Sequence, residues 1–309
     1  MYKGSGVHHI GVGVNDYDTM VSFYKNTLAF ENIFMEFGEE WNAMPEIFRT
    51  SYHKFKGIMF HQKAGGVLVE LIRMSIPVPR PIRKEIRYGD IGVNKITIGV
   101  GDVNEFHKEM KESINFRTAP TLVQIPGWKD YHFVYAKDPE GNLIEFISGP
   151  EIQVKERFGG VWGIGVSVTD LDRSMAFYQQ YTGFDSVVIE PHDRFSGLVD
   201  EVSGTEGTQV RSCVLANSNG GGMLELYELM KPRGRSIPFS TNWGDFGNLE
   251  VCLMSENIHE TANFFYQEGM EFLSQPTLAV EAPDFDGWFL YIRDPDGIPI
   301  EVISLMPKQ

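Results

Sequence analysis

The stretch Val7-His8-His9-Ile10-Gly11-Val12-Gly13-Val14-Asn15-Asp16 decides the fold. Ile10, Val12 and Val14 alternate with His9, Gly11 and Gly13, the period of two that an extended strand requires. One face is aliphatic, and the other is small or polar with an imidazole at its start. The frame returns three times, as Lys95-Ile-Thr-Ile-Gly-Val-Gly-Asp102, Ile164-Gly-Val-Ser-Val-Thr-Asp170 and Glu250-Val-Cys-Leu-Met-Ser-Glu256. The place of His9 is taken in turn by Lys95, Gly163 and Glu250. Each strand runs into an amphipathic helical pattern, carried by Met20, Phe23, Tyr24 and Leu28, then Phe106, Met110 and Ile114, then Met175, Phe177 and Tyr178, then Ala262, Phe265 and Tyr266. Asp16, Asp102, Asp170 and Asn257 stand at or beside the helix starts, as capping side chains do.

Beyond each helix the pattern returns to short strands separated by Gly, Asp and Pro. The last of each set is the clearest: Val67 to Leu71, Leu143 to Ile147, Met223 to Leu226 and Pro299 to Ile303. Asp138-Pro-Glu-Gly141 and Asp294-Pro-Asp-Gly297 form tight turns before two of them. Gly65-Gly66 and Gly220-Gly-Gly222 also precede strands, so they read as hairpin turns and not as phosphate loops. The expected fold is α+β, with four βαβββ modules making two curved mixed sheets and helices on the outside. Residues 1–150 form an N-terminal pair of modules (1–74, 89–150), and 151–309 a C-terminal pair (158–230, 244–309). The connections 75–88 and 230–243 are rich in Pro and Arg, including Arg80, Arg83, Arg87, Arg233 and Arg235. They read as solvated crossovers, or alternatively as a lid or anion clamp over a pocket.

Composition limits the partners. A formal net charge of −15 argues against nucleic acid and anionic membranes. No apolar run is long enough to span a bilayer, and no basic-then-apolar leader opens the chain. Cys213 and Cys252 are the only cysteines, which suits a reducing, cytoplasmic setting. A small-molecule substrate is the expected partner, for a monomer or homodimer.

Alternation converts the repeat into a site. If Ile10, Ile96, Ile164 and Val251 face the helices, then His9, Lys95, Gly163 and Glu250 face the concave side. In the last strands, Val69, Ile144, Leu224 and Ile300 face the helices, so Glu70, Glu145, Glu225 and Glu301 face inward. A carboxylate among aliphatic residues on a central strand is costly to bury unless it is paired, protonated or bound to metal. Imidazole and carboxylates converging on one point form a metal-ligand set.

The repeated unit, the His-Ile-Gly-Val opening and the Asp-Pro-Glu/Asp-Gly-x-x-x-Glu closing resemble the vicinal oxygen chelate superfamily. That group includes glyoxalase I, methylmalonyl-CoA epimerase, fosfomycin and bleomycin resistance proteins and extradiol dioxygenases. The resemblance spans nearly the whole chain and is specific for fold more than for reaction. It implies a divalent metal between two modules, held by the first-strand residue and the last-strand Glu of each, and taking two oxygens of the substrate. The family often has Gly-x-x-His at the start of the second module. Here Gly92-Val-Asn-Lys95 and Gly247-Asn-Leu-Glu250 stand in that place, so two expected histidines are missing.

Which modules pair decides the ligands. Pairing 1 with 2 gives His9, Glu70, Lys95 and Glu145, with an ammonium that would sooner pair with Glu145 than admit a cation. Pairing 3 with 4 gives Glu225, Glu250 and Glu301. Pairing 1 with 4 gives His9, Glu70, Glu250 and Glu301, and leaves Lys95 and Gly163 together in a dead site. The last is favoured because it sorts competent from incompetent positions. One imidazole with three carboxylates suits one divalent ion such as Mg, Mn, Fe, Co, Ni or Zn. The expected function is a metal-dependent lyase or isomerase of the glyoxalase or epimerase type. It would perform Lewis-acid-assisted proton transfer next to a carbonyl of a small substrate, with Glu250 or Glu70 as base. The alternatives are a non-catalytic sequestering protein of the same fold and an extradiol-type ring-cleaving dioxygenase, the latter disfavoured by the ligand set. His132, Tyr135, Trp288 and Tyr291 are candidate substrate contacts, although strand phase lets only one of His132 and Tyr135 face a pocket. Trp128 and Phe285 are further candidates for an apolar wall. His8 is expected on the helix side as a core histidine.

Overall fold

The computed structural model describes residues 2–40, 50, 52–125, 128–152, 154, 156–194, 197–281 and 283–308. The first module runs β1 (Gly4–Gly13), α1 (Tyr17–Ser22, continued by a π turn over Phe23–Thr27), β2 (Asn32–Glu40), β3 (Lys54–Gln62) and β4 (Gly65–Ile76). The second runs β5 (Gly92–Val100), α2 (Val103–Met110), β6 (Asn115–Phe116), β7 (Thr121–Val123), β8 (Tyr131–Lys137) and β9 (Leu143–Ser148). Its second strand is thus split in two, and both pieces pair with β8. The third runs β10 (Phe158–Ser167), α3 (Leu171–Tyr181), β11 (Ser186–Arg194), a short α4 (Asp200–Ser203), β12 (Gln209–Ala216) and β13 (Met223–Lys231). The fourth runs β14 (Gly247–Ser255), α5 (Ile258–Gln267), β15 (Phe272–Glu281), β16 (Phe285–Arg293) and β17 (Pro299–Pro307). All four expected caps form: the side chains of Asp16, Asp102, Asp170 and Asn257 accept backbone N–H groups of the first helical turn.

Pairing of the strands settles which modules meet. β1 runs antiparallel to β14, from Gly4 opposite Ser255 to Gly13 opposite Gly247. β4 and β17 flank this pair in parallel, with Gly11 opposite Glu70 and Cys252 opposite Glu301. One curved half is therefore built from modules one and four. Modules two and three make the other half through β5 and β10, where Ile96 lies opposite Ile164. Each half takes one module from either side of the expected 150/151 division. The halves meet at Val161 and Gly66, which joins them into a single mixed sheet. Turn carboxylates latch sequence-adjacent modules together. Glu140 accepts the backbone N–H groups of Asn15 and Asp16 at the start of α1, and Asp296 accepts that of Thr169 just before α3.

The aliphatic face of the repeat lies under the helices as expected. Ile10, Ile96, Ile164 and Val251 share one buried cluster with Met20, Phe106, Leu171 and Phe265. Each such side chain contributes about 1.5–3 kcal/mol by leaving water. With that face filled, the alternate residues are directed to the concave side. Among the described residues, no helix is long and apolar enough to cross a membrane.

Candidate metal centre and substrate cavity

On the concave side of the first half, β1, β4, β14 and β17 bring His9, Glu70, Glu250 and Glu301 together. His9 Nε2 lies 3.0 Å from Glu301 Oε2 and 3.6 Å from Glu70 Oε2. Glu250 is held by the indole N–H of Trp243, which donates to its Oε1 at 3.0 Å, and by the hydroxyl of Tyr291. Gly11 makes room for it: a Cβ on that glycine would sit 2.3 Å from Glu250 Oε1.

The electrostatics of this group are those of an acid-rich, buried site. Burial pushes the Glu70 carboxyl up to about 7, against the pull of His9 and with the push of Glu301. Burial and the charges of Glu301 and Glu70 drive Glu250 well above the ordinary carboxylate range. Burial lowers His9, but its hydrogen bond to Glu301 and the charges of Glu301 and Glu70 overcome this and leave it raised. Three carboxyl groups thus face a single imidazole where solvent cannot screen them.

The other half contains the matching arrangement with its charge already supplied. Lys95 occupies the place of Glu250, and its ammonium donates to Glu145 and, at 2.7 Å, to Glu225. Thr97 and Tyr135 hydroxyls complete Glu145 at 3.0 Å each. Gly165, the counterpart of Gly11, leaves the space that the Lys95 stem fills. Only about 20 Å³ remains open there, lined by Trp128, Glu145 and Glu225 among others. The two halves place paired glutamates at the same positions, and in one of them a tethered cation lies between the pair. The residues of the His9 half therefore fit a divalent cation. Its donors are oxygen and imidazole nitrogen, the set that suits hard and borderline ions.

His8 corrects the expectation of a core histidine. Between Val7 opposite Leu253 and His9 opposite Cys252, β1 advances two residues while β14 advances one. This bulge turns His8 to the concave side. Its Nδ1 lies 2.9 Å from His9 Nδ1, and its ring meets Phe34 edge-on. Burial and the neighbouring His9 lower it to about 3, so it is a neutral ring able to accept the Nδ1–H of His9. Cys252 was not anticipated. It lies opposite both His9 and Glu301, and its sulfur gathers with nitrogens of His8 and His9 within 4.8 Å. Burial and Glu301 hold its thiol well above its usual range. Residue parity pointed to it, since position 252 shares a face with position 250.

Beside this group opens a cavity of about 320 Å³. His8, His9, Glu70 and Glu301 contribute its polar lining, and aromatic and aliphatic side chains the rest. Of the candidate substrate contacts, Trp288 and Tyr291 are among its lining residues. Glu250 and Phe285 are not among its lining residues, and Glu250 is 1% exposed, so of the two expected bases only Glu70 reaches the cavity. His132 and Tyr135 are not brought to it. They lie on β8 in the closed half, where Tyr135 is buried against Glu145 and His132 points the other way. Their module pairs with module three, which takes them away from His9. The arginine-rich connections are not a lid over this cavity either. Arg235 grips Asp90 at 2.6 and 2.7 Å, and Arg83 donates to the Arg235 carbonyl at 2.9 Å, so the two crossovers hold each other.

A family model described as the glyoxalase/bleomycin resistance protein/dioxygenase superfamily matches residues 6–146 and 163–302. Among solved structures, a variant of glyoxalase I from Zea mays superposes with a TM-score of 0.65 at 17% identity, over 97% of this chain and 92% of that one. A putative dioxygenase from Bacillus subtilis superposes with a TM-score of 0.62 at 12% identity, over 98% of this chain and 86% of that one. At such identities these likenesses concern the fold. No curated protein sequence matches significantly.

Proposed function

The chain belongs to the glyoxalase/bleomycin resistance protein/dioxygenase superfamily, and from that premise we propose that it is a metal-dependent lyase or isomerase acting next to a carbonyl group of a small molecule. The divalent ion would be held by His9, Glu70 and Glu301, with Glu250 behind them. When bound it would polarise the substrate's oxygens and stabilise the negative charge that proton removal leaves on them. The observation that carries the reading is the contrast between halves: Glu145 and Glu225 closed on Lys95 in one, and their counterparts Glu70 and Glu301 beside a cavity and a histidine in the other.

The chain's own residues supply the remaining requirements. Glu70 is the glutamate of the expected pair of bases that lines the cavity, so its carboxylate oxygens can reach a proton beside a bound carbonyl. His9 presents Nε2 toward the carboxylates while its Nδ1 meets His8 Nδ1 at 2.9 Å, and a metal on Nε2 would put the proton on Nδ1 with His8 as its acceptor. Trp243 and Tyr291 hold Glu250 and also form part of the cavity wall, which keeps water from the carboxyl behind them. The test is solvent-hydrogen exchange in D2O, followed by NMR at carbons next to the carbonyl of small hydroxyketones and dicarbonyls. The reading expects exchange by the protein as purified, and its loss in Glu70→Gln and after chelation. Binding without exchange would replace it with the sequestering protein. Iron-dependent oxygen uptake with catechols would replace it with the ring-cleaving dioxygenase.

A further inference from the structure

The described lining of the cavity is acidic at one end and apolar elsewhere. Its floor carries Glu70 and Glu301, and its walls are apolar, with Phe34, Phe37, Phe55, Trp288, Phe289 and Leu305 among them. No lysine or arginine is among the described residues that line it. The arginines of the two crossovers are paired elsewhere. Arg235 and Arg83 hold Asp90, and Arg80 lies 4.0 Å over the ring of Phe239. Metal binding does not reverse the balance, because two ionised glutamates cancel the charge of one divalent ion. The rest of the chain adds a formal surplus of negative charge, −15 in all. Among the described residues of these walls there is no side-chain cation to receive an anionic group, which would give up its water on entry without a charged partner there.

Resting on the function proposed above, we propose that the substrate is an uncharged molecule with an aromatic or similarly flat apolar body. Conjugates to anionic peptides or phosphorylated carriers are then excluded. The aromatic walls provide the complementary surface, since ring faces and edges pack against one another in offset and edge-on arrangements. The reacting oxygens lie at the His9 end, and the body of the molecule extends toward Phe34 and Leu305.

Equilibrium dialysis of the purified protein, with and without prior chelation, tests this with three probes. They are benzil, its mono-para-carboxylate, and S-hexylglutathione, which joins an apolar chain to an anionic peptide. The expected result is saturable binding of benzil at one site per chain, with the carboxylate weaker by about tenfold or more. S-hexylglutathione should show no saturable binding. Phe34 is 52% exposed, so Phe34→Arg tests charge without disturbing the core, and it should bring the carboxylate to within about threefold of benzil. Equal or tighter binding of either anion by the wild-type protein, or no binding of benzil, would overturn the proposal. A charge preference that persists after chelation upholds it, whereas a divalent metal missing from the protein as purified would refute the metal-dependent reaction and leave this selectivity standing.

Discussion

Replacing Lys95 by methionine removes the ammonium from the closed half and leaves its stem. Lys95 is fully buried, and its ammonium is shared by Glu145 and by Glu225 at 2.7 Å. Two unit charges about 3 Å apart attract by roughly 5 kcal/mol at an effective dielectric near 20. Removing one partner of a buried pair leaves the other uncompensated, which typically costs about 3–5 kcal/mol. Lys95→Met leaves two such carboxylates, so a loss of about 3–5 kcal/mol at pH 7.5 is expected, which for 309 residues unfolding together is roughly 5–8 °C in Tm. The loss must depend on pH. In the variant the folded carboxyls bind protons more tightly than the unfolded ones, so stability rises as pH falls, and the deficit should shrink toward pH 5. Excess Mn²⁺ should recover part of it in the variant and none through this half in the wild type. Urea unfolding at pH 7.5 and at pH 5, with and without Mn²⁺, is the assay. A deficit below about 1 kcal/mol that does not change with pH would refute the idea that the ammonium offsets two buried acids.

The reciprocal change, Glu250→Lys, places an ammonium where Lys95 stands in the other half, next to the space left by Gly11. It should abolish divalent-metal binding in calorimetric titration while the chain remains folded by circular dichroism. His8→Phe keeps the ring contact with Phe34 but removes the acceptor of the His9 Nδ1–H. It should weaken metal binding by about 10–100-fold, with His8→Asn recovering part of the loss. Metal affinity should also fall as pH drops through about 7, where Glu70 takes up a proton that the ion must displace. The slope below that point should be about tenfold per pH unit for each proton displaced, as read by competition with a chelating dye.

Much of this architecture could be read from residue order because its signals are local. Ile10, Val12 and their three sets of counterparts alternate strictly, so the helix-covered and concave faces followed from parity, as did the inward direction of Glu70, Glu145, Glu225 and Glu301. The caps were equally local, since each rests on one side chain and the next turn of backbone. The choice of partners was not local. That β1 pairs with β14 rests on contacts between the two ends of the chain, and the sequence alone left three pairings open. The positions of His132 and Tyr135 depend on the same pairing: they belong to the module that carries Lys95, which joins module three and not the module of His9. His8 failed by a different route. One bulge between Val7 and His9 inverts the parity of a single residue, and nothing in an apolar–polar alternation announces an inserted residue. The holding of Glu250 by Trp243 also depends on how the second crossover returns to the sheet, which spacing does not specify.

A cation beside His9 is tested most directly by elemental analysis of protein purified without chelators. The expected result is close to one divalent metal ion per chain in the wild type and almost none in His9→Ala or Glu301→Gln, with both variants folded. Wild-type protein without a stoichiometric divalent metal, or variants that retain it in full, would contradict the account.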